Sequence, residues 1–151
     1  QPRLFAEWNF ATGDDDPADD SVGTFQNLFA SNHGFYGFMD LFSWQNVHNP
    51  ALSLSATPAP DLSVRLDVLA FWLADTNDAW YRANGTTRVR PVPPGANRHV
   101  GTELDVSLAW KATKWLTLQA GWSHFFAGDY LSASGAADDA DFAWVMTTIE
   151  L

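Results

Sequence analysis

The chain has 151 residues, no cysteine and a formal net charge of −10. The missing cysteines exclude disulfides, thiolate metal sites and Cys nucleophiles, and the acidic balance argues against a nucleic-acid partner. The 46% hydrophobic fraction suits a globular core or a β-barrel of the outer membrane. No run approaches the ~18 apolar residues of a membrane helix.

Residues 3–12 alternate cleanly, with Leu4, Ala6, Trp8 and Phe10 on one face and Arg3, Phe5, Glu7 and Asn9 on the other. An Asp- and Pro-containing stretch over 13–24 cannot continue the strand. One helical turn is expected near 25–30, and the aromatic-rich 35–49 reads as strand or packed loop. Strand character returns over 49–57, where Leu52, Leu54 and Ala56 oppose Ser53 and Ser55. Pro58 to Asp61 make a tight turn. The strand over 62–75 has an unbroken apolar face from Leu62 to Trp72, opposed by Ser63, Arg65 and Asp67, and that second face turns apolar at Leu69 and Phe71. A long loop over 76–98 precedes a strand at 99–111, where Val100, Thr102, Leu104, Val106, Leu108 and Trp110 oppose Gly101, Glu103, Asp105, Ser107 and Ala109. After a short turn, 115–126 alternates Leu116, Leu118, Ala120 and Trp122 against Thr117, Gln119, Gly121 and Ser123. A loop over 127–140 leads to the last strand, 141–151.

The predicted fold class is all-β: an antiparallel up-and-down transmembrane barrel, of which this chain supplies about six strands. Strands of about ten residues, joined alternately by long loops (13–48, 76–98, 127–140) and short turns, fit a membrane barrel better than a soluble sandwich with its shorter strands. About eight strands are the usual minimum for a closed single-chain membrane barrel. The chain, which also lacks a start Met and a signal peptide, is therefore expected to be part of a longer or assembled wall. The last strand should pair on one side only, with the strand before it.

The motifs RLFAEWNFATGDDD (3–16), FQNLFASNHGFYGFMDLFSWQN (25–46), LSVRLDVLAFWLAD (62–75), VGTELDVSLAWKATKWLTLQAGWSHFFAGDYL (100–131) and DDADFAWVMTTIEL (138–151) together resemble the alginate export family of outer-membrane barrels. The resemblance implies the last six strands of a barrel of roughly 16–18. It also implies bacterial outer-membrane localisation, passive transport of a polar solute or an anionic polysaccharide such as alginate, no enzymatic activity and no cofactor. Outer-membrane lipid, the solute and periplasmic secretion components are the implied partners. Strands of such barrels usually end on an aromatic, where this chain has Leu151.

On this reading the polar faces line the pore. The candidate lining residues are Arg3, Glu7, Asn9, Arg65, Asp67, Glu103, Asp105 and Gln119. With Glu150, the charged ones number two positive and five negative, net −3, and a like-charged lining repels a polyanion. Arg65 is expected to pair across strands with Asp105 or Glu103. Asp14, Asp15, Asp16, Asp19 and Asp20 form a weak Ca²⁺ candidate without EF-hand spacing, for which a solvated external loop is the simpler reading; the same holds for Asp138, Asp139 and Asp141. The four His lack metal-ligand spacing, no Ser sits in a nucleophile elbow, and Glu103 with Asp105 could serve a glycosidase only inside a cleft. Two rivals stand beside the exporter. A general small-solute porin would share its wall. A soluble carbohydrate-binding β domain would bury Trp8, Trp72, Trp110 and Trp122 between sheets or gather them on one binding face.

Overall fold

The computed structural model describes residues 1–29, 31–86, 88–90 and 97–150. Ala30 of the expected helical turn, parts of the 76–98 loop and the terminal Leu151 lie outside the described residues. The chain forms β1 (Arg3–Ala11), β2 (Val47–Ala59), β3 (Leu62–Trp72), β4 (Trp80–Tyr81), β5 (Arg88–Arg90), β6 (His99–Lys111), β7 (Leu116–Ala127), α1 (Asp129–Ser134) and β8 (Ala140–Ile149). Six strands make one antiparallel meander in the order β1-β2-β3-β6-β7-β8, while β4 and β5 pair separately within the second long loop. Among the described residues β8 pairs with β7 alone, so β1 and β8 are both open edges. No described helix is long and apolar enough to cross a membrane.

Strand limits differ from the sequence pattern where backbone groups find partners outside the ladder. β3 stops at Trp72 rather than running to residue 75, because the next N–H groups turn away. Leu73 donates to Arg98 O at 2.9 Å, Ala74 to Asn46 O at 3.3 Å and Asp75 to Asn46 Oδ1 at 2.7 Å. β2 begins earlier than expected, at Val47, which pairs with Ala11. Pro50 sits inside β2 and has no N–H to give. The β2–β3 pairing is interrupted there, and Asn49 Nδ2 donates to Ala70 O at 3.1 Å in its place. The third loop is not wholly irregular: it contains the six-residue α1, whose Tyr130 and Leu131 are buried.

Register fixes two faces across all six strands. One face carries Leu4, Trp8, Leu52, Leu54, Leu66, Val68, Val106, Leu108, Trp122, Val145 and Ile149, all exposed, with Val145 at 81%. Aromatic and His rings cluster at two levels of this face. One level, near the long loops, has Trp8, Phe10, His48, Trp72, His99, His124 and Phe126, in neighbouring ring contacts of 4.3–5.8 Å. At the other level, beside the short turns, Trp110 is exposed. The 11 residues of β3 span ten steps of about 3.4 Å and, tilted about 40°, rise about 26 Å, which matches a membrane's apolar band of about 25 Å.

The hydrophobic core lies on the opposite face, at the long-loop end. Leu69, Phe71, Val100 and Phe125 from the sheet meet Tyr36 and Phe42 of the first long loop, Leu73 and Trp80 of the second, and Tyr130 and Leu131 of α1. Phe42 stacks on Phe71 with ring centroids 3.7 Å apart and planes 2° from parallel. The long loops therefore fold inward over the sheet.

Candidate solute path and its inner loop

Residues 13–46 are locked to the second long loop at two hubs. Asn46, at φ 46°, gives its Nδ2 to Asp75 O and Ala79 O, each at 3.0 Å. Asp78 is buried and accepts from Asp14 N–H at 3.1 Å, Thr24 Oγ1 at 2.6 Å, Ala79 N–H at 2.7 Å and Tyr81 OH at 2.7 Å. The acidic stretch is occupied by its own turns: Asp16 accepts from Ala18 N–H, and Asp19 from Ser21 N–H and Oγ. Asp14 is buried, and among the described residues no group of three or more His, Cys, Asp or Glu converges to hold a metal ion.

From this anchor, residues 34–45 cross the inner face of the sheet. Trp44 Nε1 donates to Phe10 O at 3.0 Å and Trp80 Nε1 to Leu41 O at 2.9 Å. Phe38 packs on Trp144 at 5.0 Å, and the Trp144 ring lies over Gly121, where a Cβ would collide with it. Met39 N–H donates to Glu103 Oε1 at 3.0 Å. Gly37 presses on the same carboxyl: its φ is +89°, and a Cβ there would overlap Glu103. Burial, and then the negative charge of Glu7, push the Tyr36 phenol above its ordinary pKa and keep it neutral.

The predicted lining residues all fall on this inner face, in successive rows set by register. Beyond Ser63, Ala109 and Gln119 at the short-turn end, the first row is Arg3, Ser55, Arg65 and Ser107; the next is Phe5, Ser53, Asp67, Asp105 and Ser123; the third is Glu7, Ala51, Leu69, Glu103 and Phe125. Asn9 is opposite Asn49 and donates to both Glu7 and Asn49 at 3.3 Å. Gln119 is half-buried on β7, opposite Ala109 and Met146.

Depth within the face separates these residues. Arg3 and Glu7 are exposed, whereas Asp67, Glu103 and Asp105 are 5%, 0% and 2% exposed. Arg65 does not pair across strands with Asp105 or Glu103 as expected. It stands opposite Ser107 and bonds Asp67 on its own strand, Nε reaching the two carboxylate oxygens at 2.9 and 2.7 Å. Ser53 Oγ donates to the same carboxylate and accepts from Arg65 Nη2 at 3.2 Å. The Arg65–Asp67 pair is neutral and Glu103 and Asp105 are buried, which leaves Arg3, Glu7 and Glu150 as the exposed charges outside that pair, net −1 rather than −3.

An open groove of about 380 Å³ runs along these rows, lined among others by Arg3, Phe5, Phe35, Ser53, Ser55 and Arg65. Phe35 comes from the inner loop and is exposed. Sequence periodicity did not single out Phe35 or Gly37. It did mark Ser53 and Ser55, through their alternation with Leu52 and Leu54. The Trp residues do not gather between sheets: Trp8, Trp110 and Trp122 are exposed, and no second sheet covers them among the described residues.

An up-and-down antiparallel wall, apolar on one face and polar on much of the other, with inward-folded long loops, is the architecture of part of a membrane β-barrel. The family model for alginate export matches residues 1–145, and the chain belongs to the alginate export family. Its function is accordingly of the outer-membrane export type. Comparison with curated proteins found no match.

Proposed function

We propose that this chain forms an arc of an outer-membrane channel wall through which a polar, anionic solute such as a uronate polysaccharide passes by diffusion, with no chemistry performed on it. The outer face contacts lipid; the inner rows of Ser, Asn and Arg replace part of the solute's hydration as it passes. The observation behind the anionic preference is the row Arg3–Ser55–Arg65, which sets two guanidinium groups along one groove; Glu7, Asp67 and Asp105 also line it, but Asp67 and Asp105 are buried and Asp67 is paired with Arg65. A carboxylated chain suits such a row, because the planar guanidinium matches carboxylate geometry. Liposomes carrying the full-length protein should swell faster in uronate oligomers than in neutral oligosaccharides of equal length. Equal rates would support a general small-solute porin instead.

The lipid contact has its own test. Val106 and Ser107 are neighbours on β6 that face opposite ways, Val106 in the middle of the apolar face. Val106→Arg should lower folding stability in liposomes by about 2–4 kcal/mol, the cost of a cation at the bilayer midplane. Ser107→Arg should cost no more than about 1 kcal/mol, the like-charge term against Arg65 across the strand pair. Denaturant unfolding of both variants measures the difference, and equal losses would remove the assignment of faces.

A further inference from the structure

The inner face of a membrane barrel is polar, so large apolar side chains open to water on that face need a reason. Three aromatic rings are placed this way. Phe5 of β1, opposite Ser53, is 46% exposed, and Phe35 and Trp44 of the inner loop are 67% and 37% exposed. Among the described residues they stand apart from the hydrophobic core. They also line concave surface. Phe5 and Phe35 face the groove of about 380 Å³, and Phe35 and Trp44 face a second hollow of about 310 Å³. Phe35 and Glu7 border both, so the two hollows meet at these side chains.

The rings sit among polar groups that are already oriented. Trp44 Nε1 donates to Phe10 O at 3.0 Å and its ring contacts that of Phe25 at 5.1 Å, which fixes the plane it presents. Glu7 is exposed and accepts from Asn9 Nδ2 at 3.3 Å; a carboxylate has about four acceptor sites, so it can take further donors. At the second hollow Asn27 Nδ2 donates to Asn32 Oδ1 at 3.0 Å, and Asn32 Nδ2 donates to Ala83 O. Its amides are therefore set before any solute arrives, as in a pre-formed small-molecule site.

We propose that Phe5, Phe35 and Trp44 form an aromatic track on which the pyranose rings of a saccharide stack, with Glu7 and Asn9 taking the ring hydroxyls. A pyranose has an apolar face of C–H bonds and a rim of hydroxyl groups. The face suits an aromatic ring open to water, and the rim needs acceptors and donors beside that ring. A purely aliphatic solute would leave Glu7 and Asn9 unused, and a small inorganic anion would have no use for the rings and would be repelled by Glu7. The inference rests on the reading of the solute as a saccharide and goes beyond it. Ring stacking does not use the solute's charge, so neutral and uronate chains share the track, while the Arg3–Arg65 row sorts them.

The test places the full-length protein in a planar bilayer and reads block of the ion current. The probes are maltohexaose, a neutral pyranose chain; a uronate hexamer; and sorbitol, an open-chain polyol. Both hexamers should block, and sorbitol at the same mass concentration should not. Phe35→Ala, at an exposed position with little folding risk, should weaken block by both hexamers about tenfold, and Phe5→Ala should act in the same direction. Phe35→Tyr keeps the ring and should keep the block. Arg65→Gln should weaken block by the uronate hexamer alone. Wild-type block in both Phe35→Ala and Phe5→Ala would overturn the track and leave the channel reading intact. Equal block by sorbitol would also overturn it, since crowding in a narrow path would then suffice. A Phe35→Ala protein that melts lower yet is blocked like wild type would do the same, because the ring would be packing against the wall. A salt current with no block and no liposome swelling in any saccharide would instead end the saccharide reading, and the track with it.

Discussion

Replacing Gly37 with valine should raise single-channel conductance severalfold while leaving the sheet folded. Gly37 sits at φ +89° where the inner loop meets Glu103, and any Cβ there overlaps the carboxyl. A β-branched residue at such a φ costs about 1–3 kcal/mol of backbone strain. Opposing this, displacement breaks the Met39–Glu103 bond, which holds the loop down by about 0.5–1.5 kcal/mol. The strain and the collision with a fully buried carboxyl together outweigh that one bond, so the detached state becomes the main one. The remaining anchors at Asn46 and Asp78 keep the loop's ends in place, and the change should appear in conductance before it appears in global unfolding. Gly34→Val is the control. Gly34 has φ +76° with no atom close to where its Cβ would lie, so this variant carries similar strain without the collision. Conductance should change little. If both variants behave alike, strain alone moves the loop; if Gly37→Val conducts as wild type does, the loop does not narrow the path.

The inner loop is also where sequence and structure part. Two-residue alternation identified all six sheet strands and, except at Val100, both faces, since burial against lipid and exposure to a polar interior impose one period. Val100, expected outward with Thr102 and Leu104, is buried in the inner core where the β3–β6 register is interrupted. Alternation reports which side a residue is on, not how deep it lies or what covers it. Glu103 and Asp105 read as lining residues and are on the right face, yet they are buried because residues 37–39 cover them. A hint was present in Leu69, Phe71 and Phe125: a face meant for water does not turn apolar, and these three mark where the loop and α1 pack. The Asp-rich start of the first long loop obscured this. Asp14 and Asp78 are internal hydrogen-bonding groups, although their composition suggests a solvated surface. Arg65 illustrates the remaining gap. Its partner depends on register, which places Ser107 opposite it and leaves Asp67, two residues along, as the carboxylate within reach. Alternation alone does not set register between strands joined by a long loop.

Arg65→Gln should shift ion selectivity toward cations more than Arg3→Gln does, although each removes one positive charge from the same row. At about 7 Å from a passing ion, a unit charge contributes about 0.6 kcal/mol in water and about 2.4 kcal/mol at an effective dielectric of 20. Losing Arg3 should therefore change the anion-to-cation permeability ratio by about threefold or more. Losing Arg65 also removes a single unit of charge, but it uncovers the carboxylate of Asp67 at a more deeply packed position, where the lower effective dielectric makes that unit weigh more. Reversal potentials in a salt gradient read both variants, and the difference between them should shrink as salt rises from 0.1 to 1 M, where the Debye length falls from about 10 to about 3 Å. Arg65→Lys separates field from geometry. It restores the charge and should restore ion selectivity, but a compact ammonium lacks the two-pronged fit to carboxylates, so uronate oligomer flux should stay below wild type. Recovery of both would reduce the row to a simple electrostatic filter. Recovery of neither would mean that Arg65 acts by holding Asp67 and Ser53 in the wall rather than by facing the solute.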